Sequence, residues 1–441
     1  MRNVSEPVSS RDVIPQDAAA ATRRLRDASV PTPIVDVART LQARGHAAVL
    51  VGGSIRDVLL GLPASDWDLA TSATPDEVQS VFPRTVPTGI EHGTVSVLVR
   101  EPGADASIPV EVTTFRGEGT YEDGRRPTEV TFLRDLEDDL ARRDFTINAL
   151  AWDPIQAVFS DPYGGLTDLR EGIVRAVGDA TRRFLEDGLR TMRAVRFCAT
   201  RTLVLERQTE AAIAGALHVL DKVSRERVLV ELDKLLRAPQ PSRGLRPMVS
   251  TGMWPHVLPE LPPEAIEPAI EAVDALAPRV ELRLARLLRP RALRSPEDFA
   301  AVEAGVDALK PSRALRADVL ALCGPEVTAF EAALSGSAVE VRRAAAAVGR
   351  DRIDAALEVL EADGEARARV RTCLQGAPLS VGELAIKGGA LIGRGLLKPG
   401  PAVGETMRAL LDWTLEDPGR NDAEQLFARA EVLAGASPVG A

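Results

Sequence analysis

The chain has 441 residues, more than one hydrophobic core usually organises, so about two to four domains are expected. Hydrophobic residues make up 45% and charged residues 27% of the sequence, which indicates a globular protein. The formal net charge of -10 argues against nonspecific binding to nucleic acid, because contacts to phosphates need Lys or Arg. Any RNA partner must therefore meet a locally basic surface.

Hydropathy and cysteine usage narrow the cellular context. The sequence has no uncharged apolar run of about 18 residues and no apolar segment behind a basic start, so neither membrane insertion nor secretion is expected. Cys198, Cys323 and Cys373 lie far apart, without the paired spacing of a zinc site or a disulfide framework. We therefore expect a cytoplasmic protein with reduced cysteines.

The sequence begins with polar residues 1–31, whose lack of a sustained apolar period predicts a flexible or weakly helical extension. Beyond Asp179 the strand signals fade, and Leu, Ala, Arg and Glu predict helices to the end. Between these segments, apolar periodicity predicts alternating helices and strands. The predicted elements are a helix over 34–43, a strand over 47–51, a helix over 54–60, strands over 94–99 and 110–115, and a glycine-rich loop over 117–127.

Two aspartates are the first candidate site. Asp66 and Asp68 are separated by one residue, so on a strand both carboxylates would project from one face while Trp67 points into the core. Such a pair can hold two Mg²⁺ ions roughly 4 Å apart, which stabilise the attacking hydroxyl and the leaving pyrophosphate of a phosphoryl transfer. Taken alone the pattern is weak, because most Asp-x-Asp sequences are solvated turns.

The residues before and after the aspartates strengthen this interpretation. Gly52-Gly53 ends the predicted strand and opens a helix, where free backbone N–H groups favour a phosphate. Arg56 lies in the first helical turn, where it can clamp a triphosphate oxygen. Glu111, with Val110 and Val112 on the opposite face of a predicted strand, is a third candidate carboxylate for the metals. A solvated position on an edge strand is the alternative for Glu111.

These motifs occur in the order typical of a known family. The run 50–68 resembles the signature of the DNA polymerase β nucleotidyltransferase superfamily. Arg142-Arg143-Asp144-Phe145-Thr146-Ile147-Asn148-Ala149 and Glu186-Asp187-Gly188-Leu189-Arg190 resemble the class II tRNA nucleotidyltransferases and bacterial poly(A) polymerases. The resemblance covers residues 32–240 and implies Mg²⁺-dependent transfer of nucleotides to an RNA 3′ end.

The first of these two runs concerns the sugar of the nucleotide. An aspartate beside an arginine can accept a hydrogen bond from a ribose 2′-hydroxyl, which separates ribonucleotides from deoxyribonucleotides. The resemblance gives this role to Arg143 and Asp144, with Arg142 as support. The alternative is a surface ion pair at a helix start.

The second run concerns the base. Asp187, Arg190, Arg193 and Arg196 follow one another at a spacing of three, which places them on one face of a predicted helix. Cytosine and adenine each present an amino donor beside an unprotonated ring nitrogen, so a carboxylate can accept from the amino group while a guanidinium donates to the ring. CTP and ATP are therefore the predicted substrates. The alternative is a helix held by an ordinary pair between Arg190 and Glu186.

Full CCA addition, partial addition of CC or A, and poly(A) addition are the alternatives within the family. The run 88–94 is similar to tRNA-type members and lacks the Gly-Arg-Arg-Phe run typical of poly(A) polymerases. The run 121–127 resembles the loop motif that CC-adding relatives lack, which favours full CCA addition and leaves A addition open. The four histidines are isolated and offer no His-Asp pair for an appended phosphohydrolase.

The resemblance implies an α+β chain with four segments. A flexible extension over 1–31 precedes a nucleotidyltransferase head with a mixed β-sheet over 32–150. An all-α neck over 151–240 recognises the base, and an all-α body and tail over 241–441 bind tRNA. The expected partners are tRNA, CTP and ATP, with Mg²⁺ as cofactor. A non-catalytic tRNA-binding protein is the remaining alternative, and the retained acidic and arginine motifs argue against it.

Overall fold

The computed structural model describes residues 13–64, 66–89, 93–100, 107–117, 132–259 and 261–435. Contacts between Cα atoms divide the chain into two compact units, Met1–Val257 and Leu258–Ala441. This division differs from the boundary between neck and body expected at 240/241. Within the described ranges, no helix has both the length and the apolar character needed to cross a membrane.

A mixed β-sheet forms the centre of the N-terminal unit, as the sequence predicts. The described strands of this unit are β1 (Ala48–Val51), β2 (Asp68–Thr71), β3 (Thr85–Gly89), β4 (Thr94–Arg100), β5 (Ser107–Thr114), β6 (Ala151–Asp153), β7 (Val158–Ser160), β8 (Ile173–Val174) and β9 (Val204–Leu205). The main sheet has the order β3-β4-β5-β2-β1-β6-β7. Its β2 and β5 run parallel, and its other neighbours are antiparallel.

Helices make up most of the remaining described part of this unit. Several begin with the side chains that the sequence signals require, such as the capping box that Thr74 and Glu77 form. The helices are α1 (Ala18–Arg26), α2 (Thr32–Ala43), α3 (Gly53–Leu59), α4 (Pro75–Val81), α5 (Leu136–Ala141), α6 (Gly165–Glu171), α7 (Ala180–Glu186), α8 (Leu189–Thr200), α9 (Arg207–Leu220), α10 (Arg225–Leu236), α11 (Ser242–Ser250) and α12 (Trp254–Val257).

Helix α1 lies in the N-terminal extension, for which the sequence predicts a flexible or weakly helical segment. Asp17 caps the helix by accepting a hydrogen bond from the N–H of Ala20 at 2.7 Å. Ala21 and Leu25 are buried, and α1 packs against α3 and β7. The described part of the extension is therefore a packed helix, which fits the helical form of the prediction and not the flexible one. Only two residues of α1, Ala21 and Leu25, are buried, which explains why the sequence showed no clear period.

The pairing of β1 with β2 positions the loops at the end of one strand and the start of the other. All four residues of β1 are buried, and Val51 pairs with Asp68 in the antiparallel ladder. The turn after β1 consequently begins beside the first residue of β2. Val49, Ala70 and Phe115 form one buried hydrophobic cluster with Val51, and this cluster stabilises the paired strands.

The head extends further along the chain than predicted, and the neck is not purely helical. Strands β6 and β7 continue the sheet beyond the expected boundary at 150, because β6 pairs with β1. In the neck, β8 and β9 form a short parallel pair in which Ile173 lies opposite Val204. The predicted order of a mixed sheet followed by helices is confirmed. Two-residue strands give too little alternation to be visible in a sequence.

The C-terminal unit is helical in its described residues, in agreement with the prediction. Leu391, Leu410 and Leu426 lie in one of its buried clusters. Its helices are α13 (Val280–Ala292), α14 (Pro296–Ala308), α15 (Arg313–Cys323), α16 (Pro325–Ala333), α17 (Ala338–Val348), α18 (Ile353–Val359), α19 (Gly364–Cys373), α20 (Gly388–Gly393), α21 (Pro401–Glu416) and α22 (Ala423–Gly435).

Candidate functional site

The acidic pair lies where the chain enters β2. Asp68 is the first residue of the strand and Asp66 precedes it, so the prediction that both aspartates lie on a strand is wrong for Asp66. Both aspartates are exposed, whereas Trp67 between them is buried. The two carboxylates therefore remain accessible to ligands although the backbone is less regular than expected.

Glu111 joins the acidic pair through the register of the sheet. Leu69 pairs with Val112 in the parallel ladder of β2 and β5, so Asp68 and Glu111 occupy neighbouring positions one residue earlier. Strand β5 lies between β4 and β2, which contradicts the alternative of an edge strand for Glu111. Its side chain is exposed. The sheet thus brings a third carboxylate beside the pair.

The charge state of Asp68 reflects this crowding. Although Asp68 is accessible to solvent, the surrounding protein partly desolvates its carboxylate and raises its pKa; the negative charges of Glu111 and Asp66 raise it further, and Arg143 lowers it. Carboxylate oxygens are the ligands that Mg²⁺ prefers, and a bound cation would relieve their repulsion. No group of three His, Cys, Asp or Glu side chains in the described residues is already arranged at metal-binding spacing. The three carboxylates fit a metal by donor type and position rather than as a preformed cage.

The turn between β1 and α3 brings the backbone close to an arginine. Gly52 has a φ of 81°, and a Cβ there would lie 2.8 Å from Nη1 of Arg143. Ser54 is buried at the start of α3, and its Oγ has no hydrogen-bond partner within the described part of the chain. A ligand in this turn would therefore meet an unsatisfied hydroxyl.

Arg56 is buried and held from several sides. Its Nε donates to Asp57 at 2.9 Å, its Nη1 donates to Oδ1 of Asn148, and its guanidinium lies 5.0 Å from the ring centroid of Phe197. Burial lowers the pKa of Arg56, and the charge of Asp57 opposes this effect. At Gly53, an added Cβ would lie 3.5 Å from Nη2 of Arg56, so this nitrogen faces the turn.

A buried aspartate organises the two adjacent arginines. Oδ1 of Asp139 accepts hydrogen bonds from Nε and Nη2 of Arg142 at 3.0 and 2.6 Å, and Oδ2 accepts one from Nη2 of Arg143 at 3.4 Å. Burial opposes ionisation of Asp139, but the guanidiniums of Arg142 and Arg143 outweigh it and lower the pKa. Nε of Arg143 is buried and lacks a hydrogen-bond partner among the described residues.

Both carboxylate oxygens of Asp144 accept hydrogen bonds from protein donors. Its Oδ1 accepts hydrogen bonds from the N–H of Phe145 and from Nδ2 of Asn148, both at 2.9 Å. Its Oδ2 accepts from Nε of Arg193 at 2.7 Å and lies 2.6 Å from Nη2 of the same residue. Burial opposes ionisation, but Arg193 and Asn148 outweigh it and lower the pKa of Asp144 to about 2. This environment contradicts the alternative of a surface ion pair, because Asp144 is buried.

The two residues predicted to read the base, Asp187 and Arg190, do not lie in one helix. Asp187 ends α7 in an extended conformation and α8 begins after it, so the prediction of a continuous helix across Asp187 and Arg190 is wrong. Arg190 donates from Nη1 to Glu186 at 2.7 Å and to the carbonyl of Arg183 at 3.1 Å. Its Nη2 donates to the carbonyl of Arg142 at 3.1 Å. The ion pair between Arg190 and Glu186, which is the alternative to a role in base recognition, is present.

Asp187 nevertheless stays beside α8 and keeps part of its surface open. Its Oδ1 accepts a hydrogen bond from the N–H of Leu189 at 3.0 Å, and its Oδ2 lies 3.5 Å from Nη2 of Arg227 on α10. The side chain is 23% exposed. A carboxylate with exposed oxygen remains available to accept from a base.

Gly188, at the start of α8, leaves no room for a side chain. A Cβ at Gly188 would lie 2.5 Å from the backbone nitrogen of Leu220 and from the carbonyl carbon of Val219. The absent side chain therefore permits close packing of α8 against the end of α9.

Arg193 and Arg196 continue the arginine face of α8, as predicted from their spacing. Both lie over the ring of Phe197, at 5.8 and 4.1 Å from its centroid. Arg196 also donates from Nε to Glu231 on α10 at 2.5 Å. The arginines are thus oriented by an aromatic ring and by acidic partners that lie elsewhere in the sequence.

Two adjoining cavities collect the predicted site residues, because both include Asp68, Arg143, Asp144 and Arg193. Every predicted residue except Glu111 lines one cavity or the other. The first, of about 400 Å³, also includes Arg142, Asp187, Arg190 and Arg227. The second, of about 530 Å³, also includes Gly52, Gly53, Ser54, Arg56, Asp57, Asp66, Asn148, Arg196, Phe197, Arg201 and Lys234.

Several residues of this site were not predicted from the sequence. Asp139 lies three residues before Arg142, so its helical spacing was a usable signal. Ser54 directly follows the glycine turn and could also have been selected. Phe197 and Glu231 gave no local signal, because the contacts that reveal them join distant parts of the sequence or depend on burial.

Two family models and several known proteins match this chain. The family described as "Poly A polymerase head domain" matches residues 48–175, and that described as "Probable RNA and SrmB- binding site of polymerase A" matches residues 203–264. A CCA-adding enzyme of Lactiplantibacillus plantarum is 39% identical over 403 residues, which cover 90% of this chain and 95% of that protein. One of Anoxybacillus flavithermus is 48% identical over 227 residues, which span 52% of this chain and 55% of that protein.

Solved structures give the same relationship. The Bacillus stearothermophilus CCA-adding enzyme in complex with CTP matches with a TM-score of 0.69 and 30% identity, covering 93% of this chain and 100% of that one. The Thermotoga maritima CCA-adding enzyme complexed with tRNA matches with a TM-score of 0.65, over 95% of this chain and 99% of that one. At 20% identity, the second match shows the shared fold alone.

Proposed function

The chain belongs to the family of CCA-adding enzymes, and we propose that it adds C, C and A in turn to the 3′ end of tRNA, using CTP and ATP and releasing pyrophosphate. The observation that carries this proposal is the pair of adjoining cavities, whose lining includes the carboxylates of Asp66 and Asp68 and the arginines of α8. This combination suits a nucleotide whose phosphates are negatively charged and whose base needs both a donor and an acceptor. Such an enzyme would act in the cytoplasm.

Asp66 and Asp68, with Glu111 beside them, are the residues that would hold divalent cations. Bound Mg²⁺ supplies the Lewis acid that stabilises the attacking 3′-hydroxyl and the departing pyrophosphate. The raised pKa of Asp68, caused by partial desolvation and by its acidic neighbours, supports a site where positive charge is needed. The chain's own part is to hold the carboxylates of Asp66 and Asp68 at the cavities, with Glu111 on the neighbouring strand.

The turn after β1 would bind the phosphates. Ser54 and Arg143 present buried donors without partners among the described residues, and Nη2 of Arg56 faces Gly53. A triphosphate has oxygens enough to satisfy all of these donors. Phosphate binding by a preoriented arginine costs little side-chain entropy, because Arg56 is already fixed in the protein.

Arg143 and Asp144 have different parts in recognition of the ribose. The resemblance assigns it to both, with Arg142 in support, but Asp144 already accepts four contacts from protein donors. A 2′-hydroxyl at Asp144 would have to replace one of them. We therefore propose that Arg143 contacts the ribose directly and that Asp144 acts mainly by positioning Arg193.

The base would lie against Asp187 and Arg190. Asp187 accepts from the exocyclic amino group, and Arg190 donates to the ring nitrogen, which selects cytosine and adenine over uracil and guanine. Arg190 is held by Glu186, so its guanidinium keeps a fixed direction. A mismatched base would leave these partly buried groups unpaired, and sites of this kind reject the wrong base by up to ~10⁴.

The C-terminal unit and the end of the N-terminal unit are the parts proposed to hold the tRNA. The family described as an RNA-binding site matches residues 203–264, and the body and tail expected to bind tRNA cover 241–441. The run 121–127, which favours full CCA addition, and residues 90–92 of the tRNA-type run lie outside the described residues.

Incorporation of single nucleotides tests the function. Purified protein is incubated with Mg²⁺, labelled CTP or ATP, and tRNA that ends at its discriminator base. We expect two C residues with CTP alone and A only after them. Incorporation of A on this substrate with ATP alone would instead indicate poly(A) addition.

The metal assignment is tested separately. Asp66→Ala and Asp68→Ala should each lower kcat by about 10³, because the transition-state charge loses its support, while tRNA binding measured by filter retention stays unchanged. Arg39→Ala, which removes an exposed pair with Asp36, is the matched control and should retain activity. Full activity of both aspartate variants would refute the assignment.

A further inference from the structure

Asp57 and Arg201 form a bidentate ion pair between two helices of the site. Nε of Arg201 donates to Oδ1 of Asp57 at 3.0 Å, and Nη2 donates to Oδ2 at 3.0 Å. Asp57 lies on α3, which follows the glycine turn, and Arg201 caps α8, which carries the arginine face. The two side chains are only 15% and 23% exposed, so solvent screens this pair less than a surface pair.

The same carboxylate also holds Arg56. Oδ1 of Asp57 accepts from Nε of Arg56 at 2.9 Å, so a single oxygen joins two guanidiniums. Arg201 draws the carboxylate toward α8, and the carboxylate in turn fixes the plane of the Arg56 guanidinium. With Nη1 on Asn148, this leaves Nη2 directed toward Gly53 and the cavity.

We propose that Asp57 and Arg201 are positioning residues that aim Arg56 at the phosphates of the incoming nucleotide and couple the phosphate turn to the base-reading helix. This inference rests on the proposed nucleotide-binding function of the cavity. Neither residue need touch the nucleotide, because their effect passes through Arg56. The coupling explains how the direction of Arg56 on α3 comes to depend on α8, although the two helices are far apart in sequence.

The expected effect is the same for both nucleotides. CTP and ATP differ in their bases but share the triphosphate, so substitution of Arg201 should weaken the binding of both to the same extent. A residue that reads the base would change the ratio between them. A residue that only stabilises the fold would lower the amount of active enzyme without changing KM.

The experiment compares Arg201→Ala, Arg201→Lys and Asp57→Asn in the full chain, each also combined with Arg56→Ala. KM and kcat are measured for CTP and ATP separately, with tRNA substrates ending before the first C and before A. The thermal unfolding midpoint is recorded for every variant to check folding. Arg39→Ala again serves as the control for removal of an arginine from an ion pair.

We expect Arg201→Ala to raise KM for CTP and for ATP by about tenfold each, as is usual for coupling within one ion-pair network, with kcat and the KM for tRNA little changed. Arg201→Lys keeps the charge but loses the bidentate geometry and should give a smaller increase. In the Arg56→Ala background, adding Arg201→Ala should change KM by less than about twofold.

Three results would overturn the inference. One is an unchanged KM in folded Arg201→Ala, another is a KM increase for only one nucleotide, and the third is an undiminished effect in the Arg56→Ala background. Failure of the proposed function would appear differently, because the wild-type protein itself would then incorporate neither C nor A.

Discussion

Nε of Arg193 donates to Oδ2 of Asp144 at 2.7 Å, which ties α8 to the segment that follows α5. Asp144 comes from the run that the sequence associates with the sugar, and Arg193 comes from the run associated with the base. Their contact makes the two recognition elements one structural unit. Changes at either residue should therefore affect stability as well as nucleotide binding.

Replacing Asp144 by Asn tests the contact between Arg193 and Asp144 through the pH dependence of stability. Asp144 has its pKa lowered to about 2 in the folded chain from 3.8, so its contribution to stability is present above pH 4 and is lost as pH falls toward 2. The shift corresponds to about 2 kcal/mol of unfolding free energy. Urea unfolding should show that the unfolding free energy falls less between pH 7 and pH 3 for Asp144→Asn than for the wild type. Identical losses would contradict the role of Asp144.

The glycine turn provides a matched pair of variants. Gly52→Ala places a Cβ 2.8 Å from Arg143 in a conformation with φ of 81°, so both strain and displacement of Arg143 are expected. Gly45→Ala has a similar φ of 88° but nothing within 4 Å. Both should lose about 1 kcal/mol of stability, and only Gly52→Ala should also raise KM for CTP and ATP. Equal KM values for the two variants would refute the close approach of Arg143 to the turn.

A second pair of glycine variants tests the packing at the start of α8. Gly188→Ala should lower the unfolding free energy by about 1–3 kcal/mol, because the new Cβ meets the backbone of Val219 and Leu220. Gly215→Ala on α9 meets nothing within 4 Å and should stabilise the helix by about 0.5–1 kcal/mol. Denaturant titration of both variants checks the opposite signs. A stable Gly188→Ala protein would show that α8 and α9 pack less closely.

The base-reading proposal is tested at Asp187. Asp187→Asn keeps the shape of the side chain but adds an amide donor, which suits the carbonyl of uracil and opposes the amino group of cytosine. KM for CTP and ATP should rise, and discrimination against UTP should fall by about tenfold or more. Asp233→Asn, which changes a partly exposed carboxylate on α10, is the control. Unchanged discrimination in Asp187→Asn would exclude Asp187 from base reading.

The sequence predicted the local parts of the site well. Burial and glycine positions around β1 and α3 are local properties, so the strand, the turn and the helix could be identified from a short stretch. The short strands β6 to β9 could not, because two or three residues carry almost no alternation. The break at Asp187 was missed, since a spacing of three fits both one helix and two helices that meet.

The partners of the site residues were harder to foresee. Asp57 and Arg201 lie on separate helices, as do Arg196 and Glu231, and only the folded chain brings them together. The sequence therefore predicted charged residues that the structure brings together, but not that each arginine is already held by an acidic or aromatic neighbour. This fixing of the arginines is the main addition of the structure to the proposed mechanism.

The most direct test of the central claim is to sequence the 3′ ends that the purified protein makes on tRNA lacking its terminal CCA, with Mg²⁺, CTP and ATP all present. We predict ends that read C, C and A and then stop. Ends that stop after CC, that carry A without C, or that continue as a run of A would contradict it.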